Sequence, residues 1–410
     1  MKNGMIKGKK LGISLLAIAL MAVLLVTACA PAPTAPAGEK EVVEIGAMVA
    51  LTGAAGGPSS YSFYGLQDYL DYFNEEDSIP GVTLKLVWVD TATDEVREIS
   101  AYRRFVERGI PIMITIVDSE KFRPWTERDE IPMIAQAQTE GIMYPPCWIY
   151  SIYPTWAESY AVWCEWILDN WEEDRPPKVV VLGPDTVAGP PAIEPARSYV
   201  ESLGIEMMPS EFVVGYAPLD TSSELLRIDE RGADYVYILP LWSLAAIVLR
   251  DADRLGLVGK LQFGGLENTQ GVKMLEQIGA SAEGYTGSRT GPWIGETEIP
   301  GMKLLHDLRP KYGRPVDFAG DEQNGTVTMM VACEVVRRAL EEVGYENLDG
   351  VAMKEALDSL KDFDCDGIKQ ITYTPEDHRG WNRARIYQVQ DGEVVPVSDW
   401  LEAPMIMPEG

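Results

Sequence analysis

The chain has 410 residues, more than one ordinary core requires, and a formal charge of -28 from 35 basic and 63 acidic side chains. So acidic a surface excludes nucleic-acid binding, which needs Lys and Arg against phosphate, and favours solubility. With only two histidines, His306 and His378, and no CxxC pair, a zinc site and a His-based nucleophilic site are both poorly supported.

The chain opens with Lys2, Lys7, Lys9 and Lys10, then the apolar run LGISLLAIALMAVLLV and Val26-Thr27-Ala28-Cys29. The run is as short as a signal peptide's apolar region and lacks a long spanning segment. Small residues directly before a cysteine resemble the bacterial lipobox. That resemblance implies a signal peptide over 1–28, cleavage before Cys29 and thioether lipidation of Cys29. Residues 29–40, Pro- and Ala-rich without apolar periodicity, read as a tether. The globular part is therefore expected outside the cytoplasm, lipid-anchored to the cell membrane. Export permits disulfides among Cys147, Cys164, Cys333 and Cys365, with no pairing readable. Cys164 and Cys333 lie in apolar helical patterns and read as core thiols.

Val42–Asn74 reads as a strand, a glycine turn and a helix. Its near-continuous apolar run suits a strand buried on both faces of a parallel sheet. Gly53, Gly56, Gly57 and Pro58 break the run, and Ser59 or Ser60 is the expected N-cap of a helix carrying Phe63, Leu66, Leu70 and Phe73. Such a corner lets a ligand approach free backbone N–H groups, which favour a carboxylate.

Strands and helices then alternate. Strands are expected at 82–89, 111–117 and 131–135, with a helix at 94–108 whose Val96, Ile99 and Val106 face inward. The strands end in small or polar residues, on the edge where open α/β sheets bind ligands. After Trp148–Pro154 and a helix from Trp156 to Trp171, the alternation restarts. It runs through strands at 178–182, 211–215, 234–240 and 260–265 and helices at 192–203, 222–231 and 244–255. Two such series argue two Rossmann-like lobes, an α/β fold with parallel central sheets. Helices follow at 301–312, 324–344 and 351–360, then a β ending whose hairpin turns at Asp391-Gly392.

Few motifs carry chemistry. DFDCDG (362–367) begins like a calcium loop, but its twelfth position is Tyr373 where a bidentate glutamate is needed, so it reads as an acidic turn. No GxSxG elbow, P-loop or GxGxxG is present. No cofactor or metal is called for. Trp125, Trp148, Trp242 and Trp293 fall in or beside predicted loops at strand ends, where aromatics either line a cleft or pack lobes together.

Taken in order, the lipobox, IGAMVALTG, Asp90, Asp118-Ser119, IPMIAQAQT, IYSIYPTWAESYAVWCEWI, KVVVLGPDTVAG, DYVYILPLWSLAAIVLRDADRLGL and EGYTGS resemble the extracytoplasmic solute-binding proteins of branched-chain amino acid ABC transporters. The resemblance spans roughly 41–400 and implies the type I periplasmic fold, two lobes joined by a three-stranded hinge. On that pattern lobe 1 comprises 41–153 and 285–370; lobe 2 comprises 154–284 and the terminal β segment 371–410. Crossings are expected near 151–156, 282–288 and 368–376.

The family's carboxylate clasp falls on Ser119, Ala137 and Thr139, with Gln138 between them; its aromatic before the first crossing falls on Tyr150. Thr52, Gly53 and Ser59 form the glycine corner. In lobe 2 the family's Tyr-Gly and its ammonium-binding acid fall on Ala188-Gly189 and Leu241-Trp242, so both polar ligands are missing unless Glu267 or another acid substitutes. A buried ammonium without a carboxylate is costly, so Trp242 points to an apolar or aromatic carboxylate or an amide-type solute. The expected function is non-enzymatic: capture of a small organic solute between the lobes and delivery to an ABC permease, by a monomer held at the membrane through its lipid. A ligand-sensing receptor domain with the same fold is the alternative, and a lipid-anchored hydrolase, from another class, a weaker one.

Overall fold

In the computed structural model, residues 40–52, 56–116, 119–136, 139–314 and 322–407 are described. The apolar runs become the strands of two sheets. The first series is β1 (Glu41–Val49), α1 (Gly56–Glu75), β2 (Val82–Asp90), α2 (Glu95–Glu107), β3 (Met113–Thr115), α3 (Arg123–Asp129), β4 (Met133–Ala135), α4 (Glu140–Met143) and β5 (Ile149–Ser151). These strands form one sheet in the order β2-β1-β3-β4-β5, with β1, β3, β4 and β5 paired in parallel.

The second series is α5 (Trp156–Asp169), β6 (Lys178–Pro184), α6 (Arg197–Ser202), β7 (Glu206–Met207), β8 (Glu211–Val213), α7 (Ser222–Glu230), β9 (Tyr235–Ile238), α8 (Trp242–Arg254), β10 (Gln262–Leu266), α9 (Val272–Ile278) and β11 (Thr286–Arg289). The chain closes with α10 (Pro300–Lys311), α11 (Glu322–Val343), α12 (Gly350–Asp358), a small hairpin of β12 (Phe363–Asp364) and β13 (Gln370–Ile371), then β14 (Arg383–Gln390), β15 (Glu393–Pro396) and β16 (Leu401–Glu402). The second sheet runs β15-β14-β11-β10-β9-β6-β7, parallel from β6 through β9 and β10 to β11, with β14 antiparallel on β11.

Both faces of each sheet are covered, which is why the strands lack polar alternation. Val43, Ile45, Ala47 and Val49 of β1 join the core beneath α1, α11 and α12. Met48 joins the opposite core with Tyr102, Phe105 and Phe122. In the second lobe Val180, Leu182, Val236 and Ile238 pack on α7 and α8, while Val179, Val181 and Tyr237 pack on α5. Full burial of one such side chain contributes about 1.5–3 kcal/mol.

Two local expectations are corrected. The helix after β1 starts at Gly56, so Ser59 and Ser60 lie within it and not at its N-cap position. In α2, Val96 is 72% exposed; the buried stripe is Glu98, Ala101, Tyr102 and Phe105, because the N-cap at Asp94 sets a phase that turns Val96 outward. The strand β11 lies in the second sheet between β10 and β14. Among the described residues no helix is long and apolar enough to cross a membrane, and Cys147, Cys164, Cys333 and Cys365 are all buried free thiols.

Candidate functional site

The C-terminal ends of the parallel strands bring polar residues of both lobes together. The helix α1 lies against α11 at backbone contact distance. A Cβ on Gly325 would stand 1.8 Å from the Ser62 carbonyl oxygen, and one on Gly65 2.2 Å from that of Glu322. This closeness lets Ser62 Oγ donate to Gln136 Oε1 just beyond β4, at 2.6 Å. Gln136 Nε2 in turn donates to Thr328 Oγ1 (2.9 Å) and to the Asn324 carbonyl (3.3 Å) of α11.

Ser119 follows β3 and Thr139 follows β4. Ser119 is fully buried, and both hydroxyl oxygens are buried with no hydrogen-bond partner among the described residues. Each is the residue before a helical turn, yet neither side chain caps it. A buried hydroxyl without a partner is uncommon and costs stability.

Thr52 is otherwise engaged: its Oγ1 donates to Asp90 Oδ2 at 2.8 Å, and the N–H groups of Leu51, Thr52 and Ala92 donate to Asp90 Oδ1. Asp90 thus organises the loop after β1. Ser59 is buried in α1. Gly53, Ala137, Gln138 and Cys29 lie outside the described residues. Tyr150 sits in mid-strand on the core face, its hydroxyl donating to Asp358 at 2.6 Å and its ring stacked on His378. The aromatic that reaches the strand ends is Tyr153, whose hydroxyl donates to the Gln136 carbonyl.

In the second lobe, Ala188 is partly exposed and Gly189 starts a turn that folds back on β6; a Cβ there would lie 1.8 Å from the Pro184 carbonyl oxygen. Trp242 is half-buried as the first residue of α8. Beside it, Ser243 donates to the Tyr216 carbonyl at 3.3 Å.

Glu267, directly after β10, is buried and fully engaged. Its Oε2 accepts from the Thr290 N–H (2.9 Å) and hydroxyl (2.8 Å), and its Oε1 from Asn324 Nδ2 (3.1 Å). Lys369, 2% exposed, contacts the same two residues, with Nζ 3.4 Å from Thr290 Oγ1 and 3.4 Å from Asn324 Oδ1. It also donates to the Ile152 carbonyl at 3.2 Å and lies over the Tyr153 ring at 4.7 Å. Lys369 therefore touches the segments following both β5 and β11, while itself preceding β13.

Arg289, also 2% exposed, gives Nη1 to the carbonyls of Glu267 and Gln270 and lies against Trp293, while its Nε has no partner among the described residues. Burial opposes ionisation of Glu267, but Lys369, Arg289 and the Thr290 donors outweigh it and hold its pKa below the ordinary value. Burial pushes Lys369 down to about 8.

Sequence reading missed Lys369, Arg289, Asn324, Thr290, Gln136 and Tyr153. The only local signal was a lone cation inside an apolar run, GIKQITY, and inside a small-residue run, TGSRTG.

Two parallel-sheeted lobes, tied at their strand ends, have the architecture of a two-lobed binding protein. The chain belongs to the periplasmic binding protein family, whose profile matches residues 42–393. No curated protein sequence matches it. Among solved structures it is similar to a branched-chain amino acid ABC transporter protein from Thermus thermophilus with bound valine, at TM-score 0.81 and 24% identity, covering 89% of this chain and 97% of that one. It is similar too to a fatty acid ABC transporter substrate-binding protein from Thermomonospora curvata, at TM-score 0.77 and 16% identity over 90% and 95% of the two chains. An extracellular ligand-binding receptor from Rhodopseudomonas palustris HaA2 gives TM-score 0.72 and 17% identity over 87% and 100%. These are likenesses of fold, the type I periplasmic-binding, leucine-binding-protein-like fold. Proteins of this family bind solutes rather than transform them, and the family implies an extracytoplasmic location.

Proposed function

We propose that this chain captures a small organic solute between its lobes and delivers it to the permease of an ABC importer, without chemical change to the solute. One observation carries the reading: Ser119 and Thr139, at the ends of the neighbouring strands β3 and β4, hold buried hydroxyls with no partner among the described residues. Hydroxyls suit a carboxylate because they donate without adding a charge that must be desolvated. Half-buried Trp242 suits an apolar or aromatic body, which favours an aromatic or apolar carboxylate or an amide-type compound over a plain amino acid.

Binding is to lobe 1 first, and closure of lobe 2 follows because the solute has a higher affinity for the closed form. The protein acts as a monomer, held to the membrane through lipidated Cys29. The similar receptor supports a second reading, in which the same capture signals to a membrane partner instead of feeding a permease.

A thermal-shift screen against amino acids, aromatic acids, amides and short peptides tests the reading. A solute at about 100 times its Kd should add roughly 2.7 kcal/mol of stability. No shift from any class would overturn solute capture. Co-purification with permease subunits rather than a kinase would separate importer from sensor.

A further inference from the structure

Three ionic side chains are buried where the strand ends of both lobes meet: Glu267, Lys369 and Arg289. Through Asn324 they connect to Gln136, three residues before Thr139 in the chain. Glu267 follows β10, Thr290 follows β11, and Asn324 joins them to Gln136, which follows β4. The carboxylate of Glu267 is the anionic member of this cluster, and it is already answered by Thr290 and Asn324. Thr290 and Asn324 each contact both the carboxylate and the Lys369 ammonium, so the two charges are coupled through a shared pair of relays. Arg289 adds a second cation whose Nε stays without a partner among the described residues, and Gln270 Oε1 is likewise unpartnered there. One carboxylate against two cations leaves the cluster positive.

Resting on the solute-binding reading above, we propose that Lys369 is a specificity-determining residue. Its ammonium stands where a solute's amine would otherwise pair with Glu267, so the cleft accepts a carboxylate on an apolar body and rejects the corresponding α-amino acid. A second ammonium brought to this cluster would meet Lys369 and Arg289 with no free carboxylate, and a buried cation without a partner is strongly disfavoured. A carboxylate instead meets excess positive charge and the open hydroxyls of Ser119 and Thr139.

Matched solutes test this by calorimetric titration of the purified protein: isocaproate against leucine, and hydrocinnamate against phenylalanine. Each pair differs by the α-amino group. In at least one pair the acid lacking the amine should bind about tenfold or more tightly than the amino acid. Lys369→Met, which removes the cation that shares Thr290 and Asn324 with the Glu267 carboxylate, should shift the ratio toward the amino acid by about tenfold, while Lys369→Arg keeps the original order. A purely structural pin between the lobes would weaken both members of a pair together and leave the ratio unchanged.

Tighter binding of the amino acids by the unaltered protein overturns the proposal, as does an unmoved ratio in Lys369→Met. Should Lys369→Met fail to fold, Glu267→Gln serves: it should widen the preference for the amine-free acid, and an unchanged ratio counts against us equally. If neither pair binds while an amide or peptide does, the selectivity proposal falls and solute capture stands. If no solute class shifts the melting temperature, both fall.

Discussion

Asn324 on α11 donates a 3.1 Å hydrogen bond to the carboxylate of Glu267, which follows β10 in the opposite lobe. The same side chain accepts from Lys369, so one neutral amide serves an anion and a cation at once. Asn324→Leu keeps the approximate volume and removes both contacts. It should cost about 1–3 kcal/mol, since a buried carboxylate oxygen loses its donor. Urea unfolding would measure this, and an unchanged midpoint would mean the contact contributes nothing to stability.

The contact of α1 with α11 depends on absent side chains. Gly325→Ala places a methyl 1.8 Å from the Ser62 carbonyl oxygen, and two helix backbones must separate to relieve it. We expect a loss of about 1–3 kcal/mol or more, read as a lower unfolding midpoint. The Ser62–Gln136 hydrogen bond would loosen with it, so solute affinity should fall as well.

Ser119→Ala and Thr139→Ala should separate stability from binding. Neither hydroxyl has a partner among the described residues, so each variant should stay within about 0.5 kcal/mol of the parent in thermal unfolding. Solute affinity should drop about tenfold in each, the loss of one hydrogen bond to a carboxylate. Intact affinity in both would place the solute elsewhere.

Two buried carboxyls make stability fall with rising pH. Burial raises Glu140 to about 7 and Glu322 to about 8, from an ordinary 4.5. Between those values the folded protein holds a proton that the unfolded chain has released, so folding weakens as pH rises. Burial lowers the pKa of His378 from 6.5, which strengthens folding as pH rises toward that value. The loss should therefore begin above about pH 4.5, be offset only in part by His378 below about pH 6.5, and run to about pH 8, as a lowered Tm. Glu322→Gln should flatten the slope in differential scanning calorimetry; an equally steep slope would remove Glu322 as its source.

The four described cysteines are buried and unpaired. A thiol reagent should leave all four unmodified in the folded protein and reach them after denaturation. Reductant should not change the melting temperature, because no disulfide among them closes a loop. A reductant-sensitive Tm would contradict this.

Long elements are legible in the sequence. The β1 run, the helix behind the Thr155 cap and the β14–β15 hairpin at Asp391-Gly392 each carry a local pattern that only one backbone geometry satisfies. Phase and direction are less legible. Val96 fits an apolar stripe as well as Phe105 does, and only packing against the sheet decides which faces inward. Tyr150 and Tyr153 are three residues apart, and which one reaches the strand ends depends on where β5 stops.

By itself the sequence determined the kind of fold: two βα series in order, an acidic chain, and hydroxyls after β3 and β4. These follow from patterns within a few residues of one another. Only the tertiary structure decided the charge at the lobe junction. Glu267, Arg289, Asn324 and Lys369 are separated by up to about a hundred residues in the chain, and no local periodicity links them. Their coupling exists only because the ends of β10 and β11, the helix α11 and the segment before β13 converge on the same buried place, where low dielectric makes every unmatched charge matter.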